Sequence, residues 1–220
     1  MATKSQKTTE DAPEYTISGN GKRTIISFGY LSDITSQLDC LQHDELTMLD
    51  IFRITAWKID RYPQIDENTL KKLNELRSLK KFNGEKTKEV LDALLGTNGV
   101  GLPMASTYLR FVNPKVYQII DVRAYRAAFN YKLQDKLPTT NHTKAIDNYL
   151  HYITQLQKFA DKKGEGYHGL YVDFEHMDRF LYDIDKKAGF KVEDTYPYSN
   201  EQLDKWKRII KEYGGEYRDK

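Results

Sequence analysis

The sequence contains a single cysteine, Cys40, among 220 residues. One thiol can form neither an intramolecular disulfide nor a cysteine-based zinc cluster, so a reducing compartment is expected. No stretch reaches the roughly 18 consecutive apolar residues that a transmembrane helix needs, and the N-terminal residues lack the apolar core of a signal peptide. We therefore expect a cytoplasmic protein with no membrane partner.

The chain also lacks an excess of charge of one sign, since 34 Lys and Arg residues face 32 Asp and Glu residues. The charge is nevertheless uneven: positions 71–132 hold twelve basic and five acidic residues, whereas 161–194 hold six and nine. A solvated surface is the simpler explanation of such runs. A polyanion partner is the alternative, because the basic excess brackets a glycine turn at residues 99–101.

Sequence signatures of metal and nucleotide sites are missing. The five histidines show neither His-x-x-x-His nor His-Glu-x-x-His spacing, and no phosphate-binding Gly-x-x-x-x-Gly-Lys-Ser/Thr loop is present. A group of acidic residues is predicted to form the solvated side of one helix: Asp173, Glu175, Asp178, Asp183 and Asp185. We therefore expect no transition-metal site, no nucleotide cofactor and no organic cofactor.

Helical periodicity dominates what is present. Apolar residues recur at helical spacing from Asp44 onward, which predicts about eight helices and an all-α protein. The first of these helices is predicted to face the core with Leu46, Leu49, Phe52, Ala56 and Ile59. A long helix is predicted after Asn141, and the last helix is predicted to open with the capping box Ser199-x-x-Gln202. Residues 1–22 are polar and are predicted to form a flexible N-terminal arm, so that the folded domain spans 23–220. The run Thr24–Phe28 can form a short strand or an extended strap, but nothing downstream alternates with period two for long enough to build a sheet.

The segment Leu94–Ser106 is typical of two helices joined by a tight hairpin. Gly99 and Gly101 allow a sharp turn and a close approach to another surface, and Val100 is expected to pack between the two helices. Pro103 fits the first turn of the second helix. The hairpin amides and the positive end of that helix form a site for one phosphate, although a plain connector between helices would have the same turn.

The hairpin and the residues that follow it resemble the helix-hairpin-helix (HhH-GPD) DNA glycosylase superfamily. In its endonuclease-III-like and adenine-glycosylase branches, Gly-Val-Gly-x-Lys (or Ser)-x-Ala precedes a catalytic Asp, which lies 18 residues after the fifth position. Here Pro103 is the fifth position and Asp121 follows it by that interval. The chain is most similar to a bacterial group that carries Gly-Val-Gly-x-Pro-Met-Ala-Ser and Ile-x-Asp-x-Arg-Ala after a Trp-Lys helix, here Trp57-Lys58. The agreement covers residues 90–128.

This resemblance implies a two-lobed helical fold, with one lobe formed by residues 23–65 and the C-terminal helices, and the other by residues 66–160. It also implies an enzyme of DNA base excision repair type that hydrolyses the N-glycosidic bond of a base flipped out of duplex DNA. Asp121 is the expected catalytic residue, since a carboxylate stabilises the positive sugar or deprotonates the attacking water. Asp121 also fits a helix N-cap, and the two roles are compatible.

Pro103 departs from the family pattern. Members with Lys at this position form a Schiff base with the sugar and nick the strand, which requires an amine. Proline supplies none, so the resemblance implies a monofunctional glycosylase. Lys58, Lys115 and Lys144 are the lysines that can still fold into the site. Loss of the enzyme function is the other consequence that the proline allows.

A flipped base requires a pocket lined by aromatic side chains. Trp57 is the first candidate for its wall, with Tyr108 and Tyr125 behind it. Helical spacing, however, also places Trp57 in the core. Which base is excised does not follow from these positions, and both genome repair and attack on modified foreign DNA use this chemistry.

Contacts to the DNA backbone are expected from the hairpin residues Gly99, Val100 and Gly101. Arg123 and Arg126 are predicted to hold phosphates, with plain solvation as the alternative. In the family the hairpin carbonyls often hold a monovalent cation, which the resemblance extends to Gly99 and Gly101.

Two other functions remain open at this point. A non-catalytic helix-hairpin-helix module would hold duplex DNA by phosphate contacts, but it would not require Asp121. A helical interaction protein without a DNA role would show no salt-dependent DNA affinity. No feature of the sequence sets an oligomeric state.

Overall fold

The computed structural model describes residues 14–27, 32–41, 45–58, 65–97, 99–129, 137 and 141–217. Helices account for most of these residues, which confirms the predicted helical character. Their bounds are α1 Ser32–Asp39, α2 Met48–Lys58, α3 Glu67–Glu75, α4 Gly84–Leu95, α5 Leu102–Val112, α6 Val122–Ala128, α7 His142–Ala160, α8 Met177–Lys187 and α9 Asn200–Glu212. Short 3₁₀ turns follow α3 at Leu76–Ser78 and precede α8 at Phe174–His176.

A small antiparallel sheet corrects the all-α prediction. Its strands are β1 Glu14–Gly19, β2 Lys22–Ser27 and β3 Leu170–Val172, in the spatial order β2-β1-β3. Ile17 of β1 lies opposite Val172 of β3. Tyr15 and Ile17 are buried while the residues between them are not, so one face of β1 packs on the core.

The hairpin between β1 and β2 also corrects the boundary of the predicted N-terminal arm. Asn20 and Gly21 both have positive φ, +48° and +74°, as a two-residue turn of type I′ requires. Residues 14–22 therefore belong to the folded domain. The remainder of the predicted arm, residues 1–13, lies outside the described residues.

Helix α5 is the centre of the fold, and ten of its eleven residues are buried. It packs against α2, α3 and α4. A helix that is buried all round has no solvent face, so it is stable only when other elements enclose it. This position makes α5 the scaffold on which the surrounding helices are arranged.

The face that α2 buries differs from the predicted one. The periodicity of Leu49, Phe52 and Ala56 indicated a core face, yet Leu49 and Phe52 are 57% and 44% exposed. Ile51 and Ile54 face the core instead and are fully buried. The helix has apolar residues on both sides, and packing against α5 selects the side that carries the β-branched pair.

Two helix starts agree with the sequence. Asn141 caps α7 by accepting the backbone N–H of Lys144, and Ser199 caps α9 by accepting that of Gln202.

Within the part of the chain that the structure describes, none of the helices combines the length and the apolar character needed to cross a bilayer.

Candidate active site

A cavity of about 140 Å³ lies where α2, α5, α6 and α8 meet. An apolar cavity of about 150 Å³ holds one benzene ring, so this volume suits a single flat ring or the leading part of a larger one. The lining combines aromatic, apolar and charged side chains, namely Trp57, Lys58, Phe111, Ile119, Asp121, Ala124, Asp178, Arg179 and Tyr182.

Asp121 lies in this lining and is also the N-cap of α6. Its Oδ1 accepts the backbone N–H of Ala124 at 2.8 Å, and the side chain is half-buried. The capping role foreseen from the sequence is therefore confirmed. Because only one oxygen is engaged by this bond, the same carboxylate can cap the helix and face a ligand in the cavity.

The segment before Asp121 is held in place by side chains from three other helices. Ile119 donates its N–H to Asp178 Oδ2 at 2.9 Å, and its carbonyl accepts the Tyr152 hydroxyl at 2.8 Å. The N–H of the next residue donates to Ser106 Oγ at 3.1 Å. Such anchoring fixes the carboxylate before a ligand arrives, which is what a catalytic group needs.

Trp57 combines the two roles that the sequence left open. It is only 5% exposed, and its indole N–H donates to Thr35 Oγ1 at 2.6 Å. Its ring meets the edge of Phe111 with centroids 5.3 Å apart, and both residues line the cavity. Trp57 is thus a core residue whose ring also forms a wall beside Asp121.

Tyr108 and Tyr125 are not brought into this cavity, which corrects their placement behind Trp57. Tyr108 is fully buried in α5, with its hydroxyl 3.0 Å from Thr55 Oγ1. Tyr125 packs edge-on against Phe129, with centroids 5.0 Å apart. Their place is taken by Tyr182, one helical turn after Asp178 on α8, and no sequence pattern pointed to it.

A largely buried charge network lies beside the cavity and reaches its lining through Arg179. Arg179 Nη2 donates to both carboxylate oxygens of Asp39, at 2.7 and 2.8 Å. Arg110 Nη1 donates to the same carboxylate at 2.9 Å, and burial lowers the pKa of its guanidinium. Sequence reasoning missed this group because its members are far apart in the chain.

Lys58 is the second cation of the lining. It occupies the last turn of α2, where a positive charge is favoured by the helix dipole. Among the described carboxylates, none forms an ion pair with Lys58. The other two lysines that the sequence offered, Lys115 and Lys144, are exposed and do not line the cavity.

Arg123 and Arg126 hold a buried carboxylate, which corrects the assignment of Arg126 to a DNA phosphate, while that of Arg123, whose side chain is 16% exposed, stays a prediction. Arg126 Nε and Nη2 donate to the two oxygens of Asp185 at 2.7 and 2.9 Å, and the Arg126 side chain is 3% exposed. Arg123 Nη1 donates to Asp185 and to the Phe190 carbonyl, at 2.9 and 2.6 Å. These arginines join α6 to α8 inside the protein.

The helix-hairpin-helix unit is present, formed by α4, the turn and α5. Gly99 has a φ of +82°, Val100 is buried, and Gly101 is the N-cap of α5 without a side-chain capping bond. Asn98, within the same turn, lies outside the described residues. The phosphate and cation roles of the hairpin remain predictions.

Replacing Gly99 by alanine should destabilise the protein by about 1–2 kcal/mol, because an L-residue is strained at positive φ. Urea unfolding monitored by circular dichroism measures the change. Gly84→Ala is the matched control: Gly84 lies in the first turn of α4, and an added Cβ meets nothing within 4 Å. We expect this control to be neutral or stabilising, and equal effects of both variants would contradict the role assigned to the turn.

No group of three or more His, Cys, Asp or Glu side chains converges as a metal site among the described residues. Comparison with known proteins adds no assignment: no family model matches the chain, and neither a curated protein nor a solved structure is significantly similar to it.

Proposed function

We propose that this protein is a monofunctional DNA glycosylase, which hydrolyses the N-glycosidic bond of a damaged, mismatched or modified base flipped out of duplex DNA. The observation that carries the proposal is the position of Asp121. The carboxylate lies in the same cavity as three aromatic side chains, Trp57, Phe111 and Tyr182. We further propose that the helices adopt the two-lobed arrangement of the helix-hairpin-helix glycosylases.

The chemistry of the bond requires a group of this kind. As the bond from C1′ to the base lengthens, positive charge develops on the sugar, and a fixed carboxylate beside it stabilises that charge. The low-polarity wall of the cavity strengthens the interaction relative to water. Because Pro103 supplies no amine at the hairpin, water is the acceptor, and Asp121 takes its proton as the new C1′–O bond forms.

The aromatic side chains favour a flat ligand. A flipped base loses its stacking in the duplex, and stacking on an aromatic ring returns about 1–3 kcal/mol per base. Trp57 is fixed by its bond to Thr35 and by its contact with Phe111, so the wall is rigid before the base enters. A preformed wall reduces the ordering cost of binding.

Contacts to the backbone are assigned to the hairpin and to exposed lysines. With Arg123 and Arg126 engaged inside, the backbone contacts are assigned to exposed lysines of α4 and of the loop before it: Lys80, Lys81, Lys86 and Lys88. Lysine contacts to phosphate give affinity that falls steeply with salt. We expect the binding of undamaged duplex to show this salt dependence.

The test is a panel of duplexes that carry uracil, 8-oxoguanine, alkylated, mismatched or hypermodified bases. Each duplex is incubated with the protein, treated with alkali and run on a denaturing gel. Strand cleavage in at least one lane that depends on alkali supports the proposal, because hydrolysis leaves an abasic site that alkali breaks. Strand cleavage without alkali would contradict the monofunctional assignment.

A non-catalytic DNA-binding module is the second candidate, favoured by the hairpin, whose geometry does not depend on Asp121. It predicts no strand cleavage in any lane, together with salt-sensitive binding of duplex DNA. Absence of DNA binding would contradict both candidates.

A further inference from the structure

The lining of the cavity contains more charge than the proposed role of Asp121 uses. Asp178 accepts the backbone N–H groups of Ile119 and Arg179, at 2.9 and 2.7 Å, and is 3% exposed, so it serves the backbone. Arg179 is tied to Asp39 by two hydrogen bonds. Lys58 alone is a cation of this lining without a carboxylate partner among the described residues.

Heterolysis of an N-glycosidic bond separates two charges. Asp121 stabilises the positive charge on the sugar, but the bonding electron pair moves to the base nitrogen. A base that leaves as an anion into an apolar cavity is poorly stabilised unless a cation or a proton donor is beside it. The reaction therefore requires a second group of opposite sign, on the base side.

The geometry points to Lys58 as that group. We propose that Lys58 is a further catalytic residue, whose ammonium donates a proton to the departing base; the inference rests on the proposed glycosylase function. The C1′–N bond breaks, its electron pair goes to the base, and a proton passes from Lys58 Nζ to a ring nitrogen or exocyclic oxygen. Water adds to C1′ and gives its proton to Asp121, and solvent then reprotonates the lysine.

The position of Lys58 in the chain supports this role. Trp57 and Lys58 are consecutive residues at the C-terminal end of α2, and both line the cavity. A ring that stacks on Trp57 therefore lies within the reach of the lysine side chain, whose four-carbon stem is flexible. Asp121 enters from α6, so the acid and the carboxylate come from different helices.

Single-turnover excision by Lys58→Met, Lys58→Arg and the exposed control Lys115→Met tests the proposal. The probes are duplexes with uracil, which leaves as an anion, and with 7-methylguanine, which is already cationic and leaves as a neutral base. On uracil, or another neutral base that the wild type excises, we expect Lys58→Met to lose about 10²–10⁴-fold in rate. On 7-methylguanine the loss should be less than roughly tenfold, since no proton is required.

Lys58→Arg keeps the positive charge and the hydrogen-bond donors but does not release its proton, so on uracil it should recover only part of the rate that Lys58→Met loses. Lys115→Met should match the wild type. If the wild type excises only neutral bases, the comparison of the Met and Arg variants decides. If it excises only cationic bases, their departure requires no proton and the assignment of Lys58 fails. Thermal unfolding of each variant confirms that the fold is kept.

Three further results would overturn the assignment of Lys58. The first is an equal loss on both probes, and the second is a wild-type rate for Lys58→Met on a neutral base. The third is a borohydride-trapped adduct with DNA that Lys58→Arg abolishes, since a trap identifies an attacking amine. After either of the first two results, excision by the wild type leaves the proposed function standing, whereas the third keeps base excision but contradicts the monofunctional assignment. If the wild type excises no base from any duplex, both the proposed function and this inference are contradicted.

Discussion

Replacement of Asp121 by asparagine should reduce base excision by about 10³-fold or more while the protein stays folded. Asparagine lacks the negative charge that faces the sugar, and it cannot take a proton from water. It does keep an oxygen for the N–H of Ala124, which Asp121 accepts at 2.8 Å. Because Asn and Asp are equally good N-caps, α6 should start at the same residue. The panel of duplexes followed by alkali treatment measures the rate.

Asp66→Asn is the matched control for this variant. Asp66 caps α3 through the N–H of Thr69 at 2.6 Å, and these hydrogen bonds lower the pKa of its carboxyl group. It is exposed and does not line the cavity, so the same chemical change there should leave excision unaltered. Asp121→Ala should lose about 1 kcal/mol of stability in addition to the activity, because it removes the cap.

Two outcomes would separate chemistry from binding. If Asp121→Asn binds abasic-site DNA as well as the wild type but does not excise, the carboxylate acts in the reaction. Wild-type excision by Asp121→Asn would remove this residue from the mechanism.

Local signals predicted the helices well. Periodicity, the caps at Asn141 and Ser199, and the glycine turn at residue 99 are all encoded within a few neighbouring residues. The sheet was missed, although Asn20-Gly21 between alternating residues is a strong hairpin signal. Strand β3 has only three residues and pairs with β1 across most of the chain, so no local pattern marks it.

The candidate site was predictable where it depends on a motif, and unpredictable where it depends on packing. Asp121 follows from its spacing to the hairpin. The acidic run of α8 was predicted to be a solvated face, yet Asp178 and Asp185 are 3% and 0% exposed. Their arginine partners lie on α5 and α6, and pairing between distant helices cannot be recognised from spacing within one of them.

Asp185→Asn should lower the free energy of unfolding by about 3–5 kcal/mol, which is the cost of breaking a buried ion pair. Burial raises the pKa of the Asp185 carboxyl group, and hydrogen bonds from Arg126 and Arg123 oppose that rise. Without the charge, the Arg126 guanidinium stays buried beside a neutral amide. For a chain of this length we expect the midpoint of thermal unfolding to fall by roughly 10 °C or more.

Asp183→Asn on the same helix is the control for that variant. Asp183 pairs with Lys187 at 2.7 Å, but these side chains are 26% and 46% exposed, so the loss should stay below about 1 kcal/mol. Urea unfolding of both variants makes the comparison. Similar losses of unfolding free energy in both variants would mean that the buried pair stabilises the protein no more than the exposed pair does.

The ion pair between Arg126 and Asp185 also distinguishes a structural role of Arg126 from a role in DNA binding. If Arg126 and Asp185 only join α6 to α8, the double variant Arg126→Met with Asp185→Leu should regain much of the stability, since apolar groups can replace a buried pair. Its affinity for duplex DNA, and the slope of that affinity with salt, should equal those of the wild type. An arginine that holds a phosphate behaves differently, because its loss weakens binding and reduces the slope by about one. We expect the first result, because the guanidinium of Arg126 is enclosed between α6 and α8 and already donates to Asp185.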